Sequence, residues 1–142
     1  MRVWPSRRQL IIEGATVGYQ VVGAGEPVVL VHGLSAFTLW WTRNVGALVA
    51  EHYQIYLVDL PWFGSMRQLR ARFAVAHAAS WIDRWMEAVH LPHAHIVGHS
   101  MGGYACMRLA VSRPNLVRSL TLAAPVGVPA YPTVFHEVIP LI

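Results

Sequence analysis

The tightest constraint on this chain is six residues long. Gly98-His99-Ser100-Met101-Gly102-Gly103 follows a short apolar strand predicted at Ala94 to Val97 and runs into Tyr104 to Ser112, which reads as helix up to Arg113-Pro114. Strand, turn and helix succeed one another without slack. A serine held at positive φ in such a turn brings the backbone two residues on either side against its neighbours, so side chains at 98 and 102 would clash and glycine is needed at both. The segment therefore predicts a strained strand-to-helix turn with the Ser100 hydroxyl lifted above a sheet. The N-terminal dipole and unpaired N–H groups of the helix favour negative charge developing beside that hydroxyl. Five-residue Gly-x-Ser-x-Gly spellings arise by chance, and it is the flanking strand and helix that give this one weight.

The rest of the chain supplies a sheet for that turn. Gln9 to Glu13 and Thr16 to Val22 read as an opening hairpin with a turn at Gly14, closed by Gly23-Ala24-Gly25. Val28 to Val31 is a continuous apolar run, as a strand buried on both faces requires. Leu39 to Ala50 is a predicted helix. Gln54 to Val58 is the next strand and ends at Asp59, after which Pro61, Gly64 and Ser65 mark a loop. From Ala71 to Val89 the residues Ala78, Trp81, Ile82, Trp85, Met86 and Val89 recur at helical spacing. Val117 to Ala123 is a last strand, and beyond Pro125 the pattern dissolves into Pro-rich sequence. Alternating strands and helices after Val28 predict the α/β class: a mostly parallel sheet, helices on both faces, right-handed crossovers. A length of 142 residues allows one domain or part of one, and 55% hydrophobic against 13% charged residues suits strands buried on both sides.

Composition excludes several function classes. The net charge of +4 comes from eleven arginines scattered between Arg2 and Arg118 with no aromatic-interleaved basic stripe, so no nucleic-acid partner is expected. Cys106 is the sole cysteine and reads as a small apolar helix residue, which suits a reducing, cytoplasmic location. Ser6-Arg7-Arg8 has the look of a twin-arginine signal, but Glu13-Gly14 ends the apolar run that should follow. The apolar stretch from Leu120 to Phe135 is cut by Pro125, Pro129 and Pro132, so no membrane span is expected. His90, His93 and His95 straddle Pro92 with no carboxylate or cysteine to complete a shell, so neither metal nor cofactor is expected. Trp81 and Trp85 read as core, whereas Phe37, Trp62 and Phe63, beside the predicted site loops, are pocket candidates together with His99.

Three motifs together, His32-Gly33, Asp59-Leu60-Pro61-x-Phe63-Gly64-Ser65 and Gly98-His99-Ser100-Met101-Gly102-Gly103, resemble the α/β-hydrolase superfamily from about Leu10 to Pro125, especially its serine-dependent esterase, carbon–carbon hydrolase and lipase-like branch. Trp62 departs from that pattern, standing where a glycine is common. The resemblance implies Ser100 as nucleophile and the backbone N–H groups of Met101 and Leu34 as an oxyanion hole. It implies a turn-forming aspartate at Asp59, while His32 itself reads as a structural histidine bracing its loop through hydrogen bonds. The implied activity is hydrolysis of an ester or related small-molecule acyl compound through an acyl-enzyme, with transfer to an alcohol as an alternative. A serine in this position argues against dehalogenases and epoxide hydrolases, which use a carboxylate.

Relatives of this kind carry an acid and then a histidine after the serine. Here no aspartate follows Ser100, and the only acid and histidine, His136 and Glu137, are adjacent in sequence and poorly suited to converge on it. The expectation is therefore residues 1–124 as the N-terminal part of the core, 125–142 as the start of a cap or linker, and a chain inactive by itself. Such a chain would be a non-catalytic remnant or interaction module, or would need self-association or a complementing C-terminal fragment. Val117 to Ala123 would lie at a sheet edge, where other chains are recruited.

Overall fold

The computed structural model describes residues 6–34, 38–60 and 75–127. Strand β1 (Ser6–Ile12) pairs antiparallel with β2 (Ala15–Val22) around Glu13-Gly14, both at positive φ, as a two-residue hairpin turn demands. Strands β3 (Glu26–Val31), β4 (Tyr53–Val58), β5 (Ala94–His99) and β6 (Val117–Ala123) are mutually parallel, and β2 joins them antiparallel along β4. The sheet order is β1-β2-β4-β3-β5-β6. The hairpin thus hangs on one side of a parallel sheet, and among the described residues β6 forms the opposite edge.

Burial on both faces explains the unbroken apolar run in β3. Val28 and Leu30 face helix α1 (Thr42–Ala50), joining Ile55, Leu57, Trp41 and Val45; Val29 and Val31 face the other way. On that second side lie α2 (Val75–Ala88) and α3 (Met101–Ser112). Helix α2 presents Ala78, Trp81, Ile82, Trp85 and Met86, all buried, at the spacing of one helical face. Trp85 sits edge-on between the rings of Tyr19 and Tyr56, with centroids 5.7 and 6.0 Å away. The α/β reading and the mostly parallel sheet hold.

Boundaries differ where the chain turns sharply. The helix read as starting at Tyr104 begins at Met101, directly after Ser100. Gly102 and Gly103 are poor helix formers, which hid the first turn, but packing requires them there. The helix read from Leu39 is a 3-10 turn over Thr38–Trp41 followed by α1. Of the predicted helix from Ala71, residues 71–74 lie outside the described residues, as do Phe37, Trp62, Phe63, His136 and Glu137. No described helix is long and apolar enough to cross a membrane.

Candidate active site

Ser100 joins β5 to α3 with φ 54° and ψ −119°, a conformation that a residue with a side chain adopts only when its surroundings impose it. Those surroundings are visible. The Ser100 N–H donates to the Ala123 carbonyl at the end of β6 (3.0 Å), and its carbonyl accepts N–H groups from Tyr104 (3.2 Å) and Val126 (3.1 Å). A methyl group on Gly98 would come within 2.7 Å of the Gly103 Cα, and one on Gly102 within 2.3 Å of the His32 carbonyl oxygen. Glycine at 98 and 102 is thus a consequence of backbone running against backbone, and the turn cannot open without separating α3 from β3.

The loop after β3 faces this turn. His32 is fully buried, and the N–H of Leu60 donates to its Nε2 (3.0 Å). That fixes the tautomer: Nδ1 carries the proton and donates to the Gly33 carbonyl (2.8 Å). Burial pushes the His32 pKa below its ordinary value, outweighing the opposing influence of the Gly33 bond and the Asp59 carboxylate. Asp59, buried at the end of β4, accepts the Thr38 N–H through Oδ1 (3.0 Å) and lies 3.8 Å from His32 Nε2. One buried pair therefore ties the loop after β3, the 3-10 turn and the exit of β4 together. With both ring nitrogens engaged, His32 is a brace.

His99 meets both the 3-10 turn and the loop after β3. Trp40 stacks on its ring, with centroids 5.8 Å apart and planes 21° from parallel. A methyl group on Gly33 would touch both His99 Nδ1 and Ser100 Cβ at 3.0 Å, so all three residues meet at one point. His99 Nδ1 is shielded from solvent and has no hydrogen-bond partner.

Among the other residues singled out from sequence, Met101 is the buried first residue of α3, where helix geometry leaves its N–H without an intrahelical acceptor. Leu34 lies in the turn after β3 with its side chain exposed. Either ring of Trp40-Trp41 could line a pocket on sequence alone, since nothing in the pair says which faces out; the 3-10 turn buries Trp41 and leaves Trp40 beside His99. His95 sits at the far end of β5, five residues and about 16 Å along the strand from Ser100, where its Nδ1 meets Ser119 Oγ at 2.6 Å. His93 lies beside Arg118. Among the described residues no group of His, Cys, Asp or Glu is arranged to hold a metal ion. Cys106 is buried in α3, and burial raises its thiol pKa.

A family model described as the alpha/beta hydrolase fold matches residues 26–140. The dihydrolipoyllysine-residue acetyltransferase component of the acetoin cleaving system of Cupriavidus necator is 36% identical over 117 residues, covering 82% of this chain and 31% of that protein. The (E)-2-((N-methylformamido)methylene)succinate hydrolase of Acinetobacter baylyi is 28% identical over 107 residues, covering 75% of this chain and 40% of that protein. Among solved structures, a bacterial membrane phospholipase A superposes with a TM-score of 0.85 at 26% identity, over 91% of this chain and 42% of that one. The chain spans 31–40% of the length of these two curated relatives.

Proposed function

Because the chain belongs to the alpha/beta hydrolase fold family, we propose that it carries the nucleophile and oxyanion hole of a serine hydrolase acting on an ester or related acyl compound through an acyl-enzyme. The single observation behind this reading is the backbone of Ser100: a half-buried serine at φ 54° between a parallel strand and a helix N-terminus, held there by two neighbouring segments. Strain of this kind persists where it serves a purpose, and here it aims a hydroxyl above the sheet. The hydrolase and phospholipase activities named for two relatives are compatible with it.

In the proposed reaction Ser100 Oγ adds to the acyl carbon while a base removes its proton. The carbonyl oxygen becomes an oxyanion, received by the N–H groups of Met101 and Leu34. Collapse expels the alcohol or thiol, which takes the proton back, and water repeats the sequence on the acyl-enzyme. His32 is not that base, since Nε2 accepts the Leu60 N–H and Nδ1 donates to Gly33. Asp59 is not the acid, since it holds Thr38. The only acid and histidine after Ser100 are adjacent in sequence and poorly suited to converge on it, so we propose that a complementing fragment supplies the working base and acid.

Two measurements test this. A fluorophosphonate should label Ser100 in the chain joined by that fragment, and Ser100→Ala should abolish labelling; modification elsewhere would overturn the reading. The 142-residue chain should hydrolyse an activated aryl ester poorly, because loss of a triad member lowers kcat by factors of about 10⁴ to 10⁶ while oxyanion donors leave about 10³ to 10⁴ over water. Rapid turnover abolished by both Ser100→Ala and His136→Ala would show the chain to be catalytically complete.

A further inference from the structure

The large apolar side chains left exposed among the described residues fall mostly in the segments around Ser100. Ile11, Leu34, Leu39, Trp40, Val111 and Val126 are the large apolar side chains left exposed among the described residues. Four of these six belong to the segments that meet at Ser100. Leu34 (61% exposed) follows Gly33, which abuts both His99 and Ser100; Trp40 (61%) stacks on His99, with Leu39 (51%) beside it; and Val126 (45%) donates its N–H to the Ser100 carbonyl. The same segments are free of charge: residues 32–42, 98–107 and 119–127 contain no Asp, Glu, Lys or Arg. A charged acyl group brought to Ser100 would find no counter-ion on these walls, whereas a hydrocarbon chain would cover side chains now facing water.

We propose that the acyl group is an uncharged aliphatic chain lying on Leu34, Leu39, Trp40 and Val126, with Trp40 as the principal determinant of chain length. This rests on the reading of Ser100 as nucleophile and adds the substrate class to it. Trp40 is suited to the part because His99 supports one face of its ring, so the ring is already ordered when a chain meets its free face. The arginine-rich stretch Arg67, Arg70 and Arg72 lies outside the described residues, so a chain ending in a carboxylate is the rival that the experiment must beat.

The experiment is equilibrium binding of 2-hexanone, 2-octanone and 2-decanone to the 142-residue chain, followed by titration calorimetry and tryptophan emission. Affinity should rise about two- to fourfold per added methylene, with a blue shift in emission. Trp40→Ala and Leu39→Ser should flatten that rise. Both side chains are exposed, and Trp40→Phe, which keeps a ring on His99, should retain most of it while showing that the fold tolerates change here. Affinity independent of chain length, an undiminished rise in the variants, or tighter binding of a keto acid of equal length would overturn the proposal. Ser100→Ala should leave the chain-length dependence intact, so a missing rise and a missing fluorophosphonate label at Ser100 report on separate failures.

Discussion

At Gly102 one methyl group would land 2.3 Å from the His32 carbonyl oxygen, with only backbone in its way, whereas at Gly46 in α1 nothing lies within 4 Å of the same addition. The two glycines should therefore respond oppositely to alanine. Urea unfolding should show Gly102→Ala destabilised by about 1–3 kcal/mol from overpacking, and Gly46→Ala stabilised by about 0.5–1 kcal/mol through helix propensity. His32 makes a different prediction. Its folded pKa lies below the ordinary histidine value of 6.5, so the unfolded chain takes up a proton first as pH falls. Its contribution to stability is full above that value and is lost as pH drops from there toward the folded pKa. The reason is local: a proton on Nε2 would confront the Leu60 N–H. Urea midpoints measured from pH 7.5 to 4.5 should fall more steeply for the native chain than for His32→Asn; parallel curves would refute the assignment.

Helix α2 divides its residues cleanly between core and surface. Trp85 is wholly buried among Tyr19 and Tyr56, and Trp85→Ala should lower stability by about 3–5 kcal/mol. Its neighbour Arg84 pairs with Glu13 in the open, and Arg84→Ala should change stability by no more than about 1 kcal/mol. Both follow from urea titrations. Strand β6 behaves as an edge: among the described residues it pairs only with β5, and along it exposed and half-buried residues intermix. The isolated chain should accordingly self-associate with rising concentration in sedimentation velocity, and Thr121→Lys, a charge on that edge, should shift it toward monomer. A concentration-independent monomer would count against an open edge.

Across the whole molecule, what repeats at short range could be read from sequence. The run Val28 to Val31, the helical spacing from Ala78 to Met86 and the glycines around Ser100 each carry their own physical reason, and the sheet follows from them. What depends on distant meetings could not. Nothing in the spelling of Thr38 says that its N–H is held by Asp59, or in Trp40 that its ring will rest on His99; both depend on how the loop after β3 folds back over β5. The clasp on Ser100 is of this second kind, and it bears on the order of assembly. Both backbone groups of Ser100 are engaged by residues 123 and 126, more than twenty positions later in the chain. A ribosome that has delivered the serine and α3 has not yet delivered what holds the serine in its strained pose. The hydroxyl would then take its aim only once β6 docks. Native-state hydrogen exchange offers the check: the Ser100 amide should lose protection together with the amides of β6 and not with those of β5.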